Sequence, residues 1–340
     1  MNKFDYQIKE WAEIQHKYKN GSLVIGNGSS IALYSEFDFR SLKEKAEKSK
    51  FFNNEISDLF NEFVTCDFEL ILRLVWHAKL VNKHLQIDDK KINSAYENIK
   101  EALIKVVREV HCENTEISKP QYKALYNFTK QFKTIVSLNY DLILYWILMY
   151  GNGIKKDAHI YKDCFNKGKF DFDWTRFREC IGTQKEITLV FYQHGNLSVF
   201  RDVGNTEHKL QRGDFKNLLD VITEEWKDDK IPLFVAEGTG NQKLESIKSS
   251  PYLSTIYYEV LPTLISDNSN LVIYGWGLGD QESHLVNQIF KNKNTSNIAI
   301  SIYSKNQEEC NRIYNLINKI APHIEIEFFD SQSSGCWNNV

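Results

Sequence analysis

The stretch Leu23-Val24-Ile25-Gly26-Asn27-Gly28-Ser29-Ser30 decides the fold, because an apolar run of strand type ends there in a glycine-containing turn that leads into a helix-like segment. Either serine could cap that helix. The same order of apolar run and polar loop recurs at 134–141, 189–195 and 271–280. Strands that are separated by whole helices are joined by parallel crossovers. We therefore predict an α/β fold with a doubly wound, Rossmann-like parallel sheet.

The sequence pattern predicts a single domain over 1–340, with a Rossmann-like core formed by 1–43 and 131–340. Between 44 and 130, apolar residues recur with a helical period and no strand pattern is found, which predicts a helical insertion that stands apart from the sheet. An irregular polar and aromatic stretch, 151–185, is a second insertion. The predicted strands are 22–25, 134–138, 187–192, 232–236, 271–274, 297–303 and 323–328, and the predicted helices of the core are 3–20, 141–150, 214–226, 281–291 and 306–320, with others within 241–266.

Composition excludes several classes of protein. The 340 residues carry 42 basic and 45 acidic side chains, a net charge of -3 that does not favour binding to nucleic acid or to an anionic membrane. The most apolar run, 142–150, is too short to cross a bilayer. No signal-peptide pattern opens the sequence, so we expect a cytoplasmic protein. The six cysteines form no Cys-x-x-Cys pair, and we expect neither structural zinc nor any other metal.

The first glycine loop, Gly26-Asn27-Gly28-Ser29, is a candidate nucleotide site. Glycines in such a turn let the backbone approach a pyrophosphate, and the start of the helix offers N–H groups and the positive end of its dipole. The alternative is an ordinary strand-to-helix turn.

Three candidate catalytic residues follow the second and third apolar runs. Asn139 could present its carboxamide to sugar hydroxyls or to a water, and Asp141 could orient its neighbours; alternatively, the two are turn and cap residues. His194, followed by Gly195, is a candidate general base because imidazole titrates near neutral pH. The alternative is that His194 has only a structural role. His111, beside Cys112, is predicted to lie on the surface.

The late loop Gly275-Trp276-Gly277-Leu278-Gly279-Asp280 also permits close approach of the backbone to a ligand, and Asp280 can cap the helix that follows. A plain strand-to-helix turn is the alternative. Loops at the carboxyl ends of parallel strands meet at one edge of the sheet. We therefore expect all four loops to converge on one pocket, with the largest polar cleft lined by Asn139 and His194 together. The loop 237–240, which leaves another predicted strand, would lie on the same edge.

Taken in this order, the strings resemble motifs of the sirtuin-like superfamily. Gly26-Asn27-Gly28-Ser29 is similar to the first glycine motif of that family, Gly-Ala-Gly-x-Ser, and Phe37-Asp38-Phe39-Arg40-Ser41 is similar to the Pro-Asp-Phe-Arg-Ser that follows it. Ser137-Leu138-Asn139-Tyr140-Asp141 parallels Thr-Gln-Asn-Ile-Asp. Gln193-His194-Gly195 parallels the catalytic His-Gly, and Gly275-Trp276-Gly277-Leu278 parallels the late Gly-Thr-Ser-Leu.

A closer resemblance is to a bacterial sirtuin-like branch of unknown function. The resemblance covers roughly 22–41 and 134–303 and leaves 44–130 unmatched. The strings that carry it are Phe234-Val235-Ala236-Glu237-Gly238-Thr239 with Lys243, Tyr252-Leu253, and 275–280 with His284.

The departures from the sirtuin pattern bear on the activity. The two Cys-x-x-Cys pairs of the sirtuin zinc module are missing, Asn27 stands in place of Ala, and Trp276 and Gly277 stand in place of Thr and Ser. Protein deacylases use the zinc module and its neighbouring cleft to hold an acyl-lysine peptide. Bacterial proteins that resemble this chain and lack the module are NAD-consuming effectors of anti-phage defence, often assembled into oligomers or with a partner ATPase.

The resemblance therefore implies an NAD+ glycohydrolase, with NAD+ as substrate and no metal. Asn139 would position the ribose or the water, His194 would accept a proton, and Asp141 would organise the nicotinamide side of the pocket. The residues expected to bind the rest of NAD+ are Gly26, Asn27, Gly28 and Ser29 at the pyrophosphate, Gly275, Trp276, Gly277 and Asp280 at the adenosine half, and Phe39 and Arg40 over the ring.

Two alternatives remain open. One is an NAD+ or ADP-ribose sensor without turnover, which has no need for Asn139 and His194 to face one cavity. The other is an NAD-dependent protein deacylase, which would need a peptide groove.

Overall fold

The computed structural model describes residues 5–38, 41–154, 157–202, 206–210, 218–226, 230–234, 239–265, 270–291 and 297–339. The strands in these ranges are β1 (Ile8–Lys9), β2 (Ser22–Ile25), β3 (Thr134–Ser137), β4 (His159–Lys162), β5 (Phe165–Asn166), β6 (Lys169–Phe170), β7 (Glu186–Tyr192), β8 (Gly195–Arg201), β9 (Glu207–Lys209), β10 (Ile231–Phe234), β11 (Leu271–Tyr274), β12 (Asn297–Ile302) and β13 (Glu325–Asp330). The helices are α1 (Trp11–Tyr18), α2 (Gly28–Ile31), α3 (Leu42–Lys48), α4 (Asn54–Glu62), α5 (Phe68–Leu85), α6 (Lys90–Val110), α7 (Lys119–Thr129), α8 (Ile143–Gly153), α9 (Leu218–Glu225), α10 (Gly240–Lys248), α11 (Pro251–Thr255), α12 (Ser283–Phe290) and α13 (Gln307–Ile320).

An eight-stranded parallel sheet forms the centre of the described structure, in the order β1-β13-β12-β11-β2-β3-β7-β4. Every neighbouring pair in it is parallel, which confirms the predicted α/β fold with a large parallel sheet. From β2 the chain proceeds to β3 on one side, whereas β11, β12 and β13 build the other side. The strand order therefore reverses between β2 and β11, and a crevice at the carboxyl ends of those strands is the usual ligand site in such sheets.

Both faces of the sheet are covered, which explains why its central strands read as unbroken apolar runs. All four residues of β2, β3 and β11 are buried. Leu23 and Ile25 belong to one apolar cluster, whereas Val24 belongs to a second cluster on the opposite face. Of the helices that the structure describes, none combines the length and the apolar composition that crossing a membrane requires.

The stretch 44–130, every residue of which is described, contains helices and no strand, but it does not stand apart from the sheet. Ile56 and Phe60 of α4 and Leu103 of α6 belong to the same buried cluster as Ile135 and Val190 of the sheet. The expectation of a separate subdomain is therefore wrong. Amphipathic helices must bury their apolar stripe, and here the sheet face offers the apolar surface they need.

A second, antiparallel sheet was not predicted. Its order is β10-β8-β9-β6-β5. β10 pairs antiparallel with β8, so the predicted strand 232–236 is not part of the parallel sheet as expected, and 235–236 lie outside the described residues. The stretch 151–185 is also more regular than expected, because it supplies β4 to the edge of the large sheet and β5 and β6 to the small one.

The two sheets are joined by a turn of two residues, Gln193 and His194, between β7 and β8. Gly195 is required directly after it. Its φ is +73°, and a Cβ there would lie 2.0 Å from the carbonyl oxygen of Leu233 on β10. No helix follows β7, so the third predicted strand-to-helix loop is a β-turn instead.

A buried ion cluster attaches α5 to the small sheet. Arg201 at the end of β8 lies 3.2 Å from Glu207 of β9 and 3.5 Å from Glu69 of α5. All three side chains are at least nine-tenths buried. Burial raises the pKa of Glu69, and the guanidinium groups of Arg73 and Arg201 oppose that rise.

Candidate functional site

A cleft of about 730 Å³ lies where the strand order reverses, at the carboxyl ends of β2 and β11. Gly28, Gly275 and Gly277 line it, together with Ser301 of β12 and Asn306 beyond that strand. Within the described chain, its lining includes neither Asn139 nor His194. The expectation that all four loops line one cleft is therefore wrong for this cleft. The loop after β3 instead contacts the small sheet, where the N–H of Leu197 donates to the carbonyl of Tyr140.

The two glycine loops pack directly on each other. The N–H of Gly28 donates to the carbonyl of Gly275 at 2.8 Å. A Cβ on Gly26 would lie 2.7 Å from Cα of Trp276, and one on Gly275, whose φ is +66°, would lie 2.4 Å from the nitrogen of Ser29. The N–H of Ser29 donates to the carbonyl of Gly26 at 2.9 Å. Close packing of two backbones thus accounts for these glycines, and the N–H groups of Gly28 and Ser29 already have protein acceptors.

The other residues expected to bind nucleotide are dispersed around the cleft. The exposed Asn27 donates from Nδ2 to the carbonyl of Phe37 at 3.1 Å. Asp280 is exposed and begins a single 3-10 turn, Asp280–Glu282, rather than capping α12. Trp276 is buried, and Gly277 accepts a hydrogen bond from Arg312. Phe39 and Arg40 lie outside the described residues.

Asn139 is buried and connects the loop after β3 to the first glycine loop. Its Nδ2 lies within hydrogen-bond distance of Ser29 Oγ and Ser30 Oγ, both at 2.9 Å, and of the carbonyl of Gly26 at 3.1 Å. Both hydroxyls donate elsewhere, Ser29 to Gly26 and Ser30 to Asp141, so they can only accept from Asn139. This fixes the orientation of the amide. Its Oδ1 is buried and has no hydrogen-bond partner among the described residues.

Asp141 orients Ser30 and begins α8. Its Oδ2 accepts from Ser30 at 2.5 Å, and its Oδ1 accepts from the N–H of Ile143 at 2.8 Å. Burial raises its pKa, against the influence of His111 and of these hydrogen bonds. His111 is buried, so its predicted surface position is wrong. Its Nε2 accepts from the N–H of Leu142 and its Nδ1 lies 2.7 Å from the carbonyl of Cys112, a pair of contacts that only the neutral ring with a proton on Nδ1 satisfies.

His194 lies beside a carboxylate, that of Glu282, which no local sequence pattern indicated. Its Nδ1 lies 3.0 Å from the carbonyl of Leu138 and therefore carries a proton. Its Nε2 lies 3.4 Å from Oε2 of Glu282, too poorly aligned for a hydrogen bond. The other oxygen of Glu282 is paired with the buried ammonium of Lys243. Burial raises the pKa of Glu282, but His194 and Lys243 outweigh it and hold that pKa at about 2.

His284, on the first turn of α12, completes this cluster. Nitrogen and oxygen atoms of His194, Glu282 and His284 lie within 4.8 Å of one another. Neither ring nitrogen of His284 has a hydrogen-bond partner within the described part of the chain, and burial lowers its pKa to about 4. Lys243 and His284 were singled out only by the resemblance, and no local signal indicated Glu282. Lys243 lies on α10, whereas Glu282 and His284 lie two residues apart at the start of α12, and the fold brings these two segments to His194.

The chain belongs to the family described as Domain of unknown function (DUF4917), whose model matches residues 23–337. A comparison with curated proteins found no match to this chain.

Proposed function

We propose that this protein hydrolyses the N-glycosidic bond of NAD+, releasing nicotinamide and ADP-ribose. The observation that carries the proposal is a pair of buried acceptor atoms at adjacent strand ends. Ser137 and Tyr192 are register partners, and Asn139 and His194 each stand two residues beyond them. Oδ1 of Asn139 and Nε2 of His194 both lack a hydrogen-bond partner among the described residues. Buried acceptors without partners require an explanation, and the one that we propose for this pair at the strand ends is a ligand that donates to them.

The surroundings of His194 suit a general base. The hydrogen bond from Nδ1 to the carbonyl of Leu138 leaves the lone pair of the neutral ring on Nε2. When Nε2 takes a proton, the ring becomes a cation beside the negative carboxylate of Glu282, at 3.4 Å. A carboxylate in this position stabilises the imidazolium that forms during the reaction. Lys243, paired with the other oxygen of Glu282, holds the carboxylate in place.

The reaction needs little more than positioning and charge stabilisation. Nicotinamide leaves as a neutral molecule while the bond from its nitrogen to C1′ of the ribose breaks. A water oxygen bonds to C1′ and loses one proton, which Nε2 of His194 accepts. In this scheme Oδ1 of Asn139 accepts a hydrogen bond from that water or from a ribose hydroxyl. Holding the water and the ribose together supplies much of the rate acceleration.

The cleft at the strand-order reversal supports a dinucleotide as the substrate. Its volume of about 730 Å³ falls in the range of small-molecule sites. Gly28 lines the cleft, and the next two residues, Ser29 and Ser30, contact Asn139. We propose that the adenosine half occupies the cleft beside Gly275 and Gly277, with the nicotinamide ribose on the Asn139 side of α2.

The sirtuin-like resemblance extends the proposal to biology. We propose a cytoplasmic effector of bacterial anti-phage defence, active as a homo-oligomer or with a partner such as an ATPase.

Chromatography of a reaction mixture tests the activity. Purified protein incubated with NAD+, alone and in a lysate of phage-infected cells, should convert NAD+ to equal amounts of nicotinamide and ADP-ribose. A cyclic product would show a cyclase, and deacylation of an acetyl-lysine peptide would show a deacylase.

One observation favours a second candidate, an NAD+ or ADP-ribose sensor. Asn139 and His194 do not line the described cleft. A sensor would bind NAD+ or ADP-ribose in calorimetry and leave it intact under every condition in which the hydrolase is tested.

A further inference from the structure

His194, Glu282 and His284, which we call the HEH cluster, bring the lone pairs of Nε2 of His194 and Oε2 of Glu282 together without a hydrogen bond between them. The neutral ring of His284 carries a further lone pair on the nitrogen that lacks a proton. Nε2 of His194, Oε2 of Glu282 and both ring nitrogens of His284 lack hydrogen-bond partners among the described residues. The two imidazoles are at least nine-tenths buried, so bulk water does not supply the missing partners. Convergent lone pairs of this kind repel one another unless a cation lies between them.

The spacing fits a metal ion. The 3.4 Å between Nε2 of His194 and Oε2 of Glu282 equals the edge of a tetrahedron whose arms are about 2.1 Å, the length of a zinc–nitrogen or zinc–oxygen bond. All the ligand atoms lie within 4.8 Å of one another, so a small rotation of His284 brings its ring nitrogen to the same centre. Two imidazoles and one carboxylate are a donor set that zinc and similar transition metals prefer over magnesium or calcium.

The neighbours of the cluster hold the ligands in place. Nδ1 of His194 donates to the carbonyl of Leu138, the kind of outer contact that orients a metal-binding imidazole. The ring of His284 stacks on Tyr257 at a centroid distance of 6.3 Å. Lys243 occupies only Oε1 of Glu282 and leaves Oε2 to the cluster. Its positive charge opposes a metal ion nearby, and so sets an upper limit on the affinity.

We propose that the HEH cluster binds one divalent transition-metal ion of the zinc type through Nε2 of His194, Oε2 of Glu282 and a ring nitrogen of His284. The bound ion occupies the lone pair of His194 that accepts the proton in the proposed hydrolysis. Metal binding therefore inhibits the enzyme, a consequence that rests on the proposed function, whereas the metal site itself does not.

Titration of the chelator-treated full chain with Zn²⁺, followed by calorimetry, tests the site without any need for activity. Co²⁺ titration, followed by its visible absorption, reports the nitrogen and oxygen ligands independently. We expect one ion per chain. His284→Ala should weaken Zn²⁺ binding at least tenfold, whereas the control His16→Ala, at an exposed histidine of α1, should not change it. His284→Ala leaves a cavity beside Tyr257 and should lower the melting temperature, so its Zn²⁺ binding is compared with that of the wild type at a temperature where both are folded.

Lys243→Met should change the Zn²⁺ affinity in the opposite direction, so it tests the proposal even if His284→Ala fails to fold. It removes the opposing charge and should tighten Zn²⁺ binding. Wild-type protein that binds no Zn²⁺, or binds it equally well without His284, would overturn the metal site. If Zn²⁺ binds as expected but NAD+ is never hydrolysed, the site stands and the proposed function fails. If hydrolysis occurs and saturating Zn²⁺ leaves its rate unchanged, the inhibitory role is wrong.

Discussion

Nε2 of His194 and Oε2 of Glu282 lie 3.4 Å apart, although 88 positions separate them in the sequence and they leave different strands of the parallel sheet. One is a ring that can accept a proton, and the other is a carboxylate kept ionised by its neighbours. This pair leads to the first prediction.

Glu282→Gln should lower kcat for NAD+ hydrolysis by about tenfold or more, since a neutral amide stabilises the imidazolium less than a carboxylate does. The KM should change little, because Glu282 does not line the described cleft. The matched control is Glu308→Gln, at an exposed carboxylate of α13 that does not line the cleft, which should retain the wild-type rate. Equal rates in Glu282→Gln and wild type would show that the carboxylate has no part in catalysis.

His194→Ala and Asn139→Ala should each reduce the rate of NAD+ cleavage by about 10²–10⁴-fold, the usual effect of losing a general base or a positioning group. NAD+ affinity in calorimetry should fall much less, since Gly28, Gly275 and Gly277 still form the cleft. The assay must use whatever condition activates the wild type. If both variants remain as active as wild type, the mechanism is wrong.

Gly275→Ala should destabilise the protein by at least about 1 kcal/mol, because a positive φ strains any residue with a Cβ. The added carbon would also lie 2.4 Å from the nitrogen of Ser29. Gly279→Ala is the matched control in the same loop, with a φ of -70° and no atom within 4 Å of its added Cβ. Urea denaturation measures both, and equal midpoints for the two variants would contradict the tight packing of the glycine loops.

Arg201→Ala should cost about 3–5 kcal/mol of stability, because removing one partner of a buried ion cluster leaves uncompensated charge in the interior. Glu207 would then lose its ion-pair partner, and Glu69 would keep only Arg73, at 3.5 Å. By contrast, Arg176→Ala removes the ion pair of a half-exposed arginine with Asp171. We expect it to lower the free energy of unfolding by less than about 1 kcal/mol. Chemical denaturation at pH 7 compares the two. Similar losses would mean that Arg201 is not needed to join α5 to the small sheet.

Acid should destabilise the fold through His159, a buried residue of β4. Its Nε2 lies 2.9 Å from Thr188 Oγ1, which itself donates to the carbonyl of Phe132. Burial lowers the pKa of His159 to about 4, below its ordinary value of 6.5, so the unfolded chain takes up the proton first. The contribution of His159 to stability is complete above pH 6.5 and is lost as the pH falls toward 4, with a slope of at most about 1.4 kcal/mol per pH unit.

Unfolding free energies at a series of pH values between 7 and 4 measure this slope. We expect a shallower slope in His159→Gln than in wild type, and no change in the control His16→Gln. An unchanged slope in His159→Gln would place the acid sensitivity elsewhere.

The parallel sheet could be predicted because its central strands carry their own local signal. The apolar runs Leu23-Val24-Ile25 and 271–274 are each followed by a glycine, and the strands predicted at 22–25 and 271–274 have those bounds in the structure. β8 lacked such a signal. It starts immediately after the turn at His194, and its buried Asn196 and Ser198 interrupt the apolar pattern. The partner of β10 could not be predicted either, because strand pairing depends on residues far away in the sequence.

The residues of the candidate site likewise fall into those that a local sequence pattern indicated and those that it did not. Asn139 and His194 could be found because each follows a recognisable strand. The surroundings of His194 could not be predicted, since Lys243 of α10 and Glu282 of the turn before α12 come from separate segments and look like ordinary surface charges in the sequence. The glycines were found, but the structure attributes to them a contact between two loops, and a sequence pattern cannot tell such a contact from a contact with a ligand.

The turn between β7 and β8 has a mechanical consequence. β7 is held in the large sheet and β8 in the small one, and only Gln193 and His194 connect them. The two sheets therefore cannot pivot against each other without displacing the imidazole of His194. Glu69 of α5 is paired with Arg201 at the far end of β8, so the helical insertion 44–130 is attached to that strand. A displacement of α5 would therefore act on β8, the strand that begins directly after the residue that we propose accepts the proton.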